Sequence, residues 1–395
     1  MLTSTTLLLA LVAQVLAHPA QNRCAGGGGV KGGKAIYILS NEKDNAVVAM
    51  PIDKDGKLGQ GVSTATGGEG ANAVDGNGQP AGPDALFSQS ALTVTGMNLF
   101  AVNPGSNTLT MFAIDPTDPT RLTMIGKPTT IPGEFPVTVA ASNKNEVACV
   151  GTSGAKAGIS CASFSDKGLG EMDALRVFDL GQTTPPKGPT NTVSQVFFSR
   201  DQKTLFSTVK GDPSTKKEGF IASFPVSAAK VDSNLTKATP EGTAVLFGAT
   251  TIPGSKDLFV TDASFGAVVL GLDQKNQTFS TVKGKGEIQG QKATCWAAFS
   301  PATRTVFVTD VAINRLVEMS TEDAKVLNTA ELTNGDPGLI DLQAAGKFVY
   351  ALSPGNDTTP AAVTVVDTMT RQQVQHMQMD AKLAGKSSMG MALLK

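Results

Sequence analysis

Apolar residues along this chain fall in short runs rich in β-branched and aromatic side chains, separated by Gly, Asn, Asp and Pro. A helical period is nearly absent, so the pattern predicts strands joined by tight turns. One unit recurs seven times, an apolar run followed by a polar turn and a second apolar run. Its first runs lie at residues 36–39, 99–102, 147–150, 205–208, 258–261, 306–309 and 349–352. Steps of 43 to 63 residues separate the copies, which is what four short antiparallel strands and their turns consume.

A further strand precedes six of the hairpins, at residues 91–94, 136–139, 195–198, 244–247, 295–299 and 339–342. The first hairpin has none, because residues 25–33 before it are mostly glycine. The missing strand stands at the other end of the chain, at residues 389–394. The predicted fold is therefore all-β, a seven-bladed β-propeller closed by a C-terminal strand in the first blade. Such closure removes the open sheet edges that invite aggregation. A pair of β-sandwiches is the alternative, but it does not explain seven hairpins matched by seven inner strands.

The chain begins with a polar stretch, an uncharged run over residues 7–16 and a small residue at Ala17 with Val15 before it, the pattern of a secretory signal. The expected organisation is a signal peptide over 1–17, a Gly-rich arm over 18–34 and a single propeller over 35–395. No other segment is apolar and long enough for a membrane helix, so a secreted protein, extracellular or in a cell wall, is expected. Three acceptor sequons begin at Asn234, Asn276 and Asn356 in polar connecting stretches, where glycans could be carried.

Four cysteines in an exported chain suggest two bridges. Cys149 and Cys161 flank a Gly-rich turn between strand-like runs, and a hairpin would bring them face to face. Cys24 with Cys295 would then tie the N-terminal arm to the body; free buried thiols are the other reading. Basic and acidic side chains number 33 and 34 and form no cationic cluster, which argues against a nucleic-acid partner. A monomer is expected.

The repeat, with Asp and Asn turns after its aromatic strands and segments such as residues 260–267 and 295–301, resembles the lactonase and 3-carboxymuconate-cyclase-like family of seven-bladed propellers. The resemblance is strongest to its secreted fungal branch, which includes cell-surface antigens and adhesins. It implies a carboxylate-rich or lactone substrate in the channel, handled by His-Pro, Arg and Glu on inner strands. Here the corresponding stretches read Gly133-Glu134-Phe135-Pro136 and Asn191-Thr192-Val193-Ser194-Gln195, without histidine. The chain has only His18 and His376.

Histidine is the usual proton carrier near neutral pH. Without it, Glu134 is the best-placed carboxylate for that role and Gln195 a hydrogen-bond donor to oxyanion charge. Asp262, Trp296 and Asp310 are expected to line the channel mouth where the inner strands begin; turn capping and core packing are their structural alternatives. No metal or cofactor motif is present: residues 26–31 lack nucleotide-loop spacing, and residues 53–56 lack the ligands of a calcium loop.

Two functions stay open. The first is an extracellular binding or adhesion protein for a host or cell-wall ligand, favoured by export, the sequons and the missing histidines. The second is an enzyme that opens or forms a lactone from a small dicarboxylate. Propellers host both.

Overall fold

The computed structural model describes residues 31–227 and 230–395. Seven antiparallel sheets of four or five strands are arranged as blades, each running from an inner strand at the channel to an outer strand at the rim. In blade 1, Met389–Leu394 is the inner strand, followed outward by Ala35–Leu39, Ala46–Pro51 and Val62–Ala65. The predicted closure is present: Ala35 pairs with Leu394, Ile36 with Leu393, Tyr37 with Ala392 and Leu39 with Met389.

The inner strands of blades 2 to 7 are Leu92–Thr95, Pro136–Ser142, Val193–Phe198, Leu246–Thr251, Thr294–Ser300 and Leu342–Ala345. Three begin later than the apolar pattern predicts, that of blade 2 by a single residue. In blade 5, the amides of Ala244 and Val245 are taken by the Asp262 carboxylate. In blade 7, the amides of Leu339 and Ile340 bond to the carbonyls of Asp310 and Leu352, so ladder pairing starts only at Leu342.

The second strand of each blade carries the sequence repeat because it is sandwiched between neighbouring blades on both faces. Ala35–Leu39, Val147–Thr152, Thr204–Val209, Leu258–Asp262 and Thr305–Asp310 are buried along their whole length. Outer strands such as Val62–Ala65 and Gln372–Gln378 are largely exposed and polar, and so leave little apolar signal.

Cys149 and Cys161 are directly paired across a hairpin of blade 3 and form the expected disulfide. Cys295 is buried and forms no disulfide among the described residues; its expected partner Cys24 lies outside them, as do the predicted signal and most of the Gly-rich arm. Asn234, Asn276 and Asn356 are all exposed. No helix among the described residues is long and apolar enough to cross a membrane.

Candidate functional site

The connection from blade 1 to blade 2 leaves the rim and passes across the channel where the inner strands begin. Residues 84–89 are buried there, and Ser90 is half-buried. Asp84, Phe87 and Ser90 have left-handed backbones, with φ of 66°, 54° and 66°. That conformation costs about 1–2 kcal/mol for each non-glycine residue, so surrounding bonds must hold it.

Several blades supply them. Ser88 Oγ donates to the Val137 carbonyl at 2.7 Å, and the Gln89 amide donates to the Ser194 carbonyl at 2.9 Å. The Gln89 side chain bonds the Ala297 backbone twice, donating to its carbonyl at 2.9 Å and accepting from its amide at 3.1 Å. Gly248 leaves space for this approach, because a Cβ there would overlap Gln89 Oε1.

Trp296 Nε1 donates to the Ser88 carbonyl at 2.9 Å, and the indole meets Phe247 edge-on at 4.9 Å. Lys210 is buried, donating from Nζ to the Phe87 carbonyl at 2.6 Å and to Ser194 Oγ at 3.0 Å, with the Phe247 ring centroid 4.4 Å away. Asp84 is the acid whose charge acts most on it, although the two form no ion pair within 4 Å and Asp84 Oδ1 has no hydrogen-bond partner among the described residues. Burial raises the Asp84 carboxyl and lowers the Lys210 amine, each opposed by the other's charge. Asp341 accepts from the Ser90 and Met391 amides, both at 3.1 Å, and burial still pushes its carboxyl up to about 7.

The opposite end of the channel is open. Three depressions of 410, 410 and 420 Å³ share Ser90 as a lining residue. Their polar lining includes Ser90, Thr93, Gln195, Thr251 and Gln343, with Arg200 and Lys395 as the charged side chains. No acidic side chain lines them among the described residues. Gln195 accepts the Ala249 amide at 2.6 Å, while its Nε2 has only a 3.4 Å bond to Ser90 Oγ. Gln343 Nε2 donates to the Met391 carbonyl at 2.9 Å.

The residues singled out from sequence are distributed differently. Gln195 lines the open cavity, and Trp296 faces the buried crossing segment from the other side. Asp262 and Asp310 are buried turn caps: Asp262 accepts from Ala244, Val245 and Ser264, and Asp310 from Lys292, Ala293 and Ala312. The Glu134 carboxylate accepts Thr184 Oγ1 at 2.5 Å and lies 3.5 Å from Lys156 Nζ, and it lines none of the three cavities. The mouth where these groups were expected to converge is filled by residues 84–90, so the cavity opens where the inner strands finish.

His376 bonds Asp336 at 3.0 Å on the outer strand of blade 7. Asp84, Lys210, Asp341 and Gln343 were not anticipated. One signal was present: the 63-residue step between the first two hairpins is the longest, and the extra chain is this crossing segment.

No family model matches the chain, and no curated protein matches it by sequence. Solved structures match its fold. A candidate 6-phosphogluconolactonase from Bacteroides fragilis aligns with a TM-score of 0.60 at 11% identity, covering 96% of this chain and 100% of that one. One from Bacteroides uniformis gives 0.59 at 14% identity, covering 88% and 97%. A periplasmic gluconolactonase from Pseudomonas aeruginosa gives 0.53 at 14% identity, covering 71% and 82%. The structural neighbours are thus lactonase-like seven-bladed propellers, and at these identities the likeness is one of fold.

Proposed function

We propose that this protein handles a small hydroxylated carboxylate, or the lactone from which it opens, in the open end of its channel. The observation that carries this reading is the composition of the cavity: amides, hydroxyls and two cationic side chains, with no acidic side chain among the described residues. Such a lining favours an anionic ligand rich in hydroxyl groups. In this reading Arg200 and Lys395 take the carboxylate, while Gln195 and Gln343 hydrogen-bond ring or carbonyl oxygens. Gln195 has the donor capacity to stabilise oxyanion charge as a lactone opens.

The gluconolactonase-type neighbours support a lactone as the first ligand class to try. The adhesion reading draws less support from the surface. The exposed large apolar side chains among the described residues, Val62, Met97, Val177, Val326, Leu327 and Met369, are spread over five blades.

The test is calorimetric titration with gluconate and its lactone, beside a turnover assay over a panel of lactones and muconates. Binding weakened about tenfold by Gln343→Ala is expected. Absence of binding across the panel overturns the reading. Turnover abolished by Glu134→Gln would make Glu134 the proton carrier and relocate the chemistry to the loops.

A further inference from the structure

Beside the open end, and sharing Phe197, Ser199, Arg200 and Thr251 with one of its depressions, a pocket of 280 Å³ lies in the cleft between blades 4 and 5. Phe197, Phe206, Leu258, Leu272 and Phe279 form its apolar wall. The three rings pack on one another, Phe197 to Phe206 at 5.6 Å and Phe206 to Phe279 at 4.9 Å. The rim is polar, but nearly all of it is already partnered. Asp257 is paired with Lys283 at 2.8 Å, and Asp201 accepts Ser199 Oγ at 2.7 Å. Lys256 donates to Gln274 at 2.6 Å. Arg200 alone among the rim's charged groups has no hydrogen bond or ion pair among the described residues; it also lines the channel cavity.

We infer that this inter-blade pocket binds a monocyclic aromatic carboxylate, with its ring against Phe197, Phe206 and Leu272 and its carboxylate on Arg200. The size fits: an apolar cavity of about 150 Å³ accepts benzene, and this one is larger by room for a substituent. The ring wall offers edge and face contacts suited to a planar aromatic group. The unpaired guanidinium offers a carboxylate two parallel N–H donors. A neutral apolar ligand would leave that cation unused, and a sugar acid would leave the ring wall uncovered. The pocket shares Arg200 with the channel cavity, so acids in the two sites compete for one guanidinium; the pocket is therefore probed with no channel ligand present.

The probe is benzoate, followed by saturation-transfer NMR and calorimetry on the full chain, with benzyl alcohol as the uncharged comparison. Arg200→Gln, an exposed substitution, is expected to weaken benzoate about tenfold or more and to leave benzyl alcohol unchanged, because only the charge-assisted pair is removed. Leu272→Trp, an uncharged bulky substitution in the pocket and away from the channel, is expected to abolish binding of both, with a melting curve confirming that the variant folds. Failure of benzoate to bind overturns the inference. So does benzoate binding that Arg200→Gln weakens but Leu272→Trp leaves intact, since the acid would then sit in the channel. Binding of both probes that neither variant changes also overturns it.

Discussion

The two ends of the channel are framed by the same seven inner strands and have opposite characters. Where the strands begin, residues 84–90 bring their own polar atoms, and most of these, Asp84 Oδ1 excepted, are consumed in bonds, among them those to Val137, Ser194, Trp296, Ala297 and Asp341. Where the strands finish, Gln195, Gln343 and Arg200 face a cavity with bonding capacity to spare. A ring of strands does not by itself specify a binding site. One long connection decides which end is core and which is pocket.

The largest expected effect comes from removing the strand common to both ends. Truncation before Ser387 deletes the inner strand of blade 1, the Met391 amide that bonds Asp341 and one wall of the cavity. A broad, non-cooperative melt by circular dichroism is expected; an unchanged transition would contradict the role of closure.

Next is Lys210→Met, aimed at the sealed end alone. It leaves Asp84 buried without the nearby cation and removes the donor to the Phe87 carbonyl and Ser194 Oγ. Loss of about 2–3 kcal/mol in urea unfolding is expected. Adding Asp84→Asn should restore much of that loss, because the uncompensated charge is gone. A double variant no better than the single one would mean that the pair is not coupled.

Asp341→Asn is smaller and depends on pH. The substitution replaces one acceptor oxygen by an NH2 donor facing backbone amides that can only donate, an expected cost of about 1–3 kcal/mol. Asp341 titrates near 7 when folded and near the ordinary carboxyl value when unfolded. The folded state therefore holds the extra proton between those values, and this group's stabilisation is complete below about pH 4 and lost as pH rises through about 7. The variant cannot make this change. Its deficit relative to the parent should be larger at about pH 5 than at about pH 8, and a deficit that grows with pH would reverse the assignment.

Gln343→Ala tests the open end and should barely register in folding. It removes one half-buried bond to Met391 and is expected to cost about 1 kcal/mol or less. A much larger loss would make the open lining as structural as the sealed one and erase the contrast.

The blades were legible because each second strand is buried on both faces, so its apolar run survives in sequence at every copy. The C-terminal closure followed from counting, one hairpin without an inner strand and one strand without a hairpin. The Cys149–Cys161 bridge followed from hairpin geometry, since the two residues straddle a single turn. These are local signals, set by periodicity and by turns within about fifty residues.

What lies at the centre is not local. Lys210 follows a buried strand and reads as an ordinary strand-end lysine until the Phe87 carbonyl, 123 positions away in sequence, meets its amine. Asp84 sits in a Pro- and Gly-rich connection that looks like a surface loop. Asp262, Asp310 and Trp296 stand near the mouth that sequence pointed to, but whether such groups face solvent, a ligand or another part of the chain depends on which segment occupies the channel. The hydrophobic pattern determined seven blades and their closure, because burial of each strand against its neighbours repeats along the chain. Only the tertiary structure decided that one end of the channel is filled and the other open, because polar atoms find their partners across the ring and no periodicity records where they meet.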